Sequence, residues 1–227
     1  MSNTAIIPAA GAGTRMKAKK SKLLLEINGT TVIERTVRIF SRIPQIDEII
    51  VVCRESDLDD FEQVLSSYDI SYCFGGETRQ QSVFNAVQTV DDAKLLIIHD
   101  GARPLITEKE ILDTIKTAEE KGSAAVGVPV KDTIKVVDKD NKIIDTPDRA
   151  SLISIRTPQI FSFGIYKNAL ALALAQEQGR DFTDDCALVE NLGMPVYTVT
   201  GDYGNIKITT PEDIPMAEGI LKMRGEE

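Results

Sequence analysis

The sequence predicts an α/β fold built on a doubly wound, mostly parallel, Rossmann-like sheet, and three observations predict it. Continuous apolar runs recur along the chain, as strands buried on both faces of a parallel sheet require. Segments of helical character alternate with them, the signature of βαβ units with right-handed crossovers. The first apolar run is followed by a glycine-rich loop and a basic cluster, an arrangement with which such sheets hold anions.

The first strand is Ala5-Ile6-Ile7, ended by Pro8, which lacks the N–H that a ladder needs. Gly11 and Gly13 follow, and without Cβ atoms they let backbone N–H groups fold around an anion. Arg15, Lys17, Lys19, Lys20 and Lys22 come next, in a chain whose formal net charge is -9. Such a run is ordinarily a solvated face, but behind a strand and a glycine loop it points to polyphosphate. The Gly-Lys-Ser/Thr ending of a Walker loop is absent, and Met16 stands where a dinucleotide fingerprint needs a third small residue. The loop therefore suits a nucleoside triphosphate whose phosphates carry the chemistry.

Further strands are expected at Ile49–Cys53, Leu95–Ile98 and Ala124–Val130, and helices at Val32–Ser41, Ser56–Ser66, Ser82–Val90 and Thr107–Lys121. Thr107 and Glu110 have capping-box spacing. The alternation breaks between Lys131 and Arg156. There Thr133–Val137 and Ile143–Ile144 read as a β-hairpin around the polar turn Asp138-Lys139-Asp140-Asn141-Lys142. A bare hairpin is marginal, so this one is expected either to lie on its own surface or to act as an arm embracing a second subunit, giving a homodimer. A helix at Ile165–Gln176, one at Thr183–Leu192 capped by Thr183 or Asp184, a strand at Val196–Val199 and a terminal helix starting at Thr210-Pro211 complete the chain.

At 227 residues the chain suits one domain, 1–227, with the arm inserted at about 131–156. The acidic balance argues against a nucleic-acid groove, which needs a broad basic field. No apolar run reaches membrane-spanning length and the N-terminus carries no apolar signal segment, so no membrane partner and a cytoplasmic location are expected. Cys53, Cys73 and Cys186 lack metal-ligand spacing and read as reduced thiols.

Ligands of doubly wound sheets bind beyond the carboxyl ends of the strands. Four stretches belong there: the glycine loop, Gly75-Gly76-Glu77-Thr78-Arg79 leading into Ser82, His99-Asp100-Gly101-Ala102-Arg103-Pro104, and Asn205-Ile206-Lys207. Asp100, at the end of the most apolar strand, is a candidate ligand for Mg2+, a hard cation that bridges phosphates. The alternative is an Asp satisfied by a turn or by Arg103. His99 is the only histidine and reads as structural. Asp184 and Asp185 read as a capped helix start at least as well as paired acids.

Together IIPAAGAGTRM, GGETRQQSV, HDGARP, DTIKVV, RTPQIF and GDYGNIKITTPEDI resemble the 2-C-methyl-D-erythritol 4-phosphate cytidylyltransferase family of the non-mevalonate isoprenoid pathway. The resemblance implies a nucleotidyltransferase in which the acceptor's phosphate attacks the α-phosphorus of CTP and pyrophosphate leaves. It implies that Arg15 and Lys22 grip the triphosphate, and that Ala9, Ala10, Gly11, Gly76, Glu77 and Ser82 surround cytosine and ribose. Asp100 matches the Mg2+-linked acid. Arg103, Thr157 and Lys207 match positions near the acceptor phosphate, with Lys207 also joining Arg15 and Lys22 in charge neutralisation. Thr133 and Arg149 match contacts supplied from the partner's arm. The chain departs from the family's pattern at Leu23 and Arg156, where that pattern has Gln. A ribitol 5-phosphate cytidylyltransferase, a sugar 1-phosphate nucleotidylyltransferase and a non-catalytic nucleotide-binding domain remain as rival readings.

Overall fold

The first strand, β1 (Asn3–Pro8), alternates its side chains between two cores, and the rest of the sheet follows the same rule. The structure, a computed structural model, describes residues 2–11, 21–175 and 182–226. After β1 come the short strands β2 (Glu26–Ile27) and β3 (Thr30–Thr31), which form a separate antiparallel pair. Helix α1 (Val32–Phe40) follows, capped by the Thr31 hydroxyl, then β4 (Glu48–Cys53), α2 (Leu58–Leu65), β5 (Ser71–Phe74) and α3 (Arg79–Gln88). The chain continues through β6 (Leu95–Ile98), α4 (Glu108–Lys121) and β7 (Ser123–Pro129). It then runs through β8 (Val136–Val137), β9 (Ile143–Asp145), β10 (Ile153–Ser162) and α5 (Phe163–Ala175). It ends with α6 (Asp185–Asn191), β11 (Tyr197–Thr200) and α7 (Asp213–Arg224).

Seven strands form one sheet in the order β11-β7-β10-β6-β1-β4-β5. All its pairings are parallel except those of β10, which runs antiparallel to both β6 and β7. Ala5, Ile7, Ile49, Val51 and Ile97 face a core closed by α1, α2, α4 and α7, whose Phe40, Phe61, Ile111 and Leu221 pack there. Ile6, Ile50, Val52, Leu96 and Ile98 face the opposite core, closed by Val83 of α3, Tyr166 of α5 and Val189 of α6. Burial on both faces is the reason these strands read as unbroken apolar runs.

Two strands depart from expectation. β5 carries Ser71 and Tyr72 at an edge of the sheet, and its polar start hides it. β10 lies in the interior, but Arg156, Thr157, Pro158 and Gln159 interrupt it. The Thr157–Pro158 peptide bond is cis, and the register with β7 shifts between Ile155 and Gln159. Proline inside a run argues against a central strand unless a bulge takes it up, and here one does. Other boundaries move by a few residues. A 3-10 turn at Glu55–Asp57 replaces the expected first turn of α2. α3 starts at Arg79 behind a Thr78 cap, placing Ser82 inside the helix instead of at its start. Asp184, not Thr183, caps α6. The terminal helix starts at Asp213, whose carboxylate accepts the Thr209 and Thr210 N–H groups. The expected end of α5 at Gln176 lies outside the described residues.

The hairpin is present as the antiparallel pair β8–β9, shorter than expected. Asp138 Oδ1 accepts the N–H groups of Asp140 and Lys142, and Asn141 adopts a positive φ of 62, which together close the turn. Val136, Val137, Ile143 and Ile144 are all exposed. No described helix is long and apolar enough to cross a membrane.

Candidate active site

Winding reverses at β1. The chain passes from β1 outward to β4 and β5, then crosses to β6 on the other flank. The carboxyl ends of β1 and β6 therefore border the crevice where such sheets take ligands. A cleft of about 430 Å³ opens there. Ala9, Ala10 and Gly11 line it from β1, Gly76, Glu77 and Ser82 from the start of α3, and Asp100 from the end of β6. Lys22 and Lys207 complete it, so all four stretches assigned to the strand ends converge. Gly13 and Arg15 lie outside the described residues.

The floor is made by close backbone approach. A Cβ on Gly75 would stand 2.4 Å from the Cβ of Ala10, so only glycine lets the two loops meet. Ser82 fixes the neighbouring turn: its hydroxyl donates to Thr78 O at 2.9 Å and accepts the Gly76 N–H at 3.1 Å. At Gly11 a Cβ would meet no atom of the described residues within 4 Å. Lys22 sits in a 3-10 turn, Lys22–Leu24, and its Nζ donates to Ile208 O at 2.8 Å. The N-terminal and C-terminal walls of the cleft are thereby tied together.

Asp100 is the electrostatic centre. It is 7% exposed, and Lys207 Nζ stands 2.7 Å from one carboxylate oxygen while Arg79 Nε stands 3.1 Å from the other. Arg103 is more distant, at 3.6 Å. Burial alone would raise the carboxyl's pKa, but Arg79, Lys207 and Arg103 outweigh it and hold the group well below the usual carboxylate range. The Arg103 half of the structural alternative is thus the weakest of three contacts.

His99 and Thr157 lie beneath. His99 is fully buried, with Nε2 3.1 Å from Arg103 O and Nδ1 3.1 Å from the Thr157 hydroxyl oxygen. Burial pushes its pKa down to about 4, so the ring is neutral near pH 7 and structural, as its lack of partners in sequence implied. The Thr157 hydroxyl also accepts the Asp100 N–H at 3.0 Å. Thr157 is 4% exposed and does not line the cleft. Its hydroxyl is engaged by the Asp100 N–H and by His99 Nδ1. Arg103 does not line the cleft either; its Nη1 donates to Asn205 O at 3.0 Å, behind Lys207. Thr133 and Arg149 lie on the arm, away from their own chain's cleft, where Arg149 Nη1 donates to Lys131 O.

Sequence reasoning placed Arg79 among the strand-end stretches and weighed Asp185 as half of an acidic doublet, but missed that they pair. Arg79 bridges Asp100 to Asp185, with Nη1 2.7 Å from the second carboxylate, which also accepts the Tyr166 hydroxyl at 2.6 Å. Opposing carboxylates keep the guanidinium firmly protonated against the effect of burial. The signal was present as an acidic doublet at a helix start. Asp184 caps the helix, whereas Asp185, one residue on, is turned inward. Gln159 locks this corner, its Oε1 accepting the N–H groups of Asp185 and Cys186.

Residues 3–223 match the family model described as 2-C-methyl-D-erythritol 4-phosphate cytidylyltransferase. The enzyme of that name from Caldanaerobacter subterraneus subsp. tengcongensis is 47% identical over 98% of this chain and 100% of its own length. The one from Bacillus velezensis is 42% identical over 98% and 97%. Among solved structures, 4-diphosphocytidyl-2C-methyl-D-erythritol synthase from Anaerococcus prevotii superposes with a TM-score of 0.87 at 37% identity, covering 97% of this chain and 96% of that one. The Thermus thermophilus enzyme superposes with a TM-score of 0.80 at 27% identity, covering 98% and 100%. With a model matched almost end to end, relatives of equal length and a shared overall fold, the chain belongs to the 2-C-methyl-D-erythritol 4-phosphate cytidylyltransferase family.

Proposed function

We propose that the protein transfers a cytidylyl group from CTP to 2-C-methyl-D-erythritol 4-phosphate, releasing pyrophosphate, in isoprenoid precursor synthesis in the cytoplasm. The observation that carries this reading is the convergence of Lys22 and Lys207 on one glycine-floored cleft at the winding reversal of the sheet. An acceptor phosphate oxygen forms a bond to the α-phosphorus while the bond to the bridging oxygen of the β-phosphate breaks. Pyrophosphate leaves with that electron pair. The nucleophile is already an anion, so no general base is needed, and His99 is fully buried and does not line the cleft in any case. The task is to bring two polyanions together, and the protein does so by positioning and charge neutralisation.

Lys22, with Arg15, grips the triphosphate. Ala9, Ala10, Gly11, Gly13, Gly76, Glu77 and Ser82 form the nucleoside cradle, all but Gly13 lining the cleft among the described residues. Lys207 and Arg103 serve the acceptor phosphate, and Thr133 and Arg149 reach it from the arm of a second subunit. Asp100 also sets the terms for Mg2+. Both its oxygens already meet cations, and among the described residues no group of three His, Cys, Asp or Glu could hold a metal. Asp100, a hard oxygen donor lining the cleft, would hold Mg2+ in exchange for part of its pairing with these cations. When bound, the ion supplies charge neutralisation of the phosphates. The test is pyrophosphate release from CTP with a panel of acceptor phosphates. Methylerythritol 4-phosphate should give the highest kcat/KM, and Lys22→Ala should lose on the order of 100-fold in turnover. A higher kcat/KM with ribitol 5-phosphate, or a Lys22→Ala variant of normal turnover, would overturn the reading.

A further inference from the structure

Residues 202–209 form a strap without helix or strand, and its fastenings converge on both roots of the arm. At the outgoing root, the Tyr203 hydroxyl donates to Pro129 O at 2.7 Å, and Lys131 Nζ lies 3.6 Å from the centre of the Tyr203 ring. At the returning root, Arg156 Nη1 donates to three carbonyls: Asn205 O at 2.7 Å, Tyr203 O at 3.0 Å and Asp202 O at 3.1 Å. Asn205 Nδ2 donates to Thr157 O at 3.0 Å. Beyond these ties the strap delivers Lys207 to Asp100 and the Ile208 carbonyl to Lys22.

Asn205 O is the shared point. Arg103 Nη1 and Arg156 Nη1 both donate to it, which holds two guanidinium groups side by side against their mutual repulsion. One nitrogen serving three carbonyls must share its two hydrogens among them. It does so from a fixed position, because the carbonyls belong to a turn closed by Asn205 N–H donation to Asp202 O. The turn therefore cannot shift without displacing both Arg103 and the residue that precedes Lys207 by two.

We propose that Arg156 is a positioning residue for acceptor binding: it fastens the strap to the arm's returning strand and so sets where Lys207 and Arg103 stand. The proposal rests on the reading of Lys207 as an acceptor-phosphate group. It makes the acceptor half of the cleft and the roots of the arm one mechanical unit, while the nucleoside cradle stands on β1 and α3 and the strap reaches the nucleotide half through the Ile208 carbonyl, which accepts from Lys22.

The test is steady-state kinetics on Arg156→Ala, Arg156→Lys, Lys207→Ala and the Arg156→Ala/Lys207→Ala pair, each checked for an intact melting transition. Arg156→Ala should raise the acceptor KM about tenfold and leave the CTP KM within about twofold. Arg156→Lys should recover most of the loss, because an ammonium brings three N–H donors to a site that asks one nitrogen to serve three carbonyls. In the Lys207→Ala background, Arg156→Ala should add less than it costs alone, since one of the two groups it acts through is already removed. An unchanged acceptor KM in Arg156→Ala, equal rises in both KM values, no recovery with Lys, or a full multiplicative penalty in the pair would each overturn the proposal. If Arg156→Ala does not fold, Arg156→Gln takes its place, with the same expected split between the two KM values. Lys207→Ala with an unchanged acceptor KM would instead overturn the reading of Lys207 itself.

Discussion

Arg79 is held by two carboxylates and holds both of them in turn. Without it, among the described residues, Asp185 keeps the Tyr166 hydroxyl and Asp100 keeps Lys207 and the more distant Arg103. Removing one partner of a buried ionic set costs about 3–5 kcal/mol, because the remaining charge is left short of compensation. Arg79→Ala should therefore lower the melting temperature by roughly 10 °C for a chain of this size, measured by calorimetry. A loss within 2 °C, roughly what a surface change costs, would mean that water replaces the guanidinium. His99 makes a second expectation at this scale. It is the chain's only histidine, so one imidazole resonance reports it. Its folded pKa of about 4 lies below the usual 6.5, so the unfolded chain binds the extra proton first as pH falls. Stability should be constant from pH 8 down to about 6.5 and should decline from there toward pH 4, with no imidazole titration in the folded protein above pH 5.5. A titration midpoint near 6.5 by NMR would contradict the burial that the structure gives the ring.

Among the elements, the β8–β9 hairpin stands apart because Val136, Val137, Ile143 and Ile144 are all exposed. Ile143 and Ile144 are 56% and 60% exposed on a two-stranded ribbon that is marginal in isolation. We expect a two-fold homodimer in which each arm lies on the other subunit. Arg149→Ala and Lys22→Ala are each expected to lose most of their turnover, and mixing them under subunit exchange should restore part of it. One hybrid site would then draw both intact residues from different chains. A monomer by light scattering, or no recovery after verified exchange, would sink the arm. The elements also show what could be read in advance. Leu95–Ile98 was fixed to the residue, because four apolar residues between polar neighbours leave no other register. The α4 start was legible for a local reason, the reciprocal Thr107–Glu110 box, present with Glu110 Oε2 2.9 Å from Thr107 N. β10 was not legible, because its strand character comes from the partners on both sides and not from its own polar, proline-broken centre. The candidate site divides in the same way. Cleft residues carried by glycine loops and strand ends were visible, but Arg79, Asp185 and the ties of Arg156 depend on contacts across long stretches of sequence.

At the scale of the whole molecule, a chain of net charge -9 must draw two polyanions into one cleft. The general field opposes this, so the local cations and a divalent ion have to overcome it. Chelating divalent ions should abolish turnover, and Asp100→Asn should weaken the dependence on Mg2+ concentration or abolish turnover as well, by pyrophosphate assay. Full activity in chelator would assign Asp100 wholly to its three cations. The sheet order has a further consequence, one that concerns the chain while it is being made. β5, β4, β1 and β6 can pair as soon as β6 has left the ribosome, but the other edge of β6 is claimed by β10, which is translated only after the arm. At about 5–20 residues per second that wait lasts several seconds. Throughout it the backbone of Leu95–Ile98, the most apolar strand, presents an unpaired edge to any neighbouring nascent chain. Nascent chains stalled just before Ile153 should aggregate or hold chaperones, and chains stalled well past Ser162 should resist protease. Equal protease resistance at both lengths would mean that another segment guards the edge of β6 until β10 arrives.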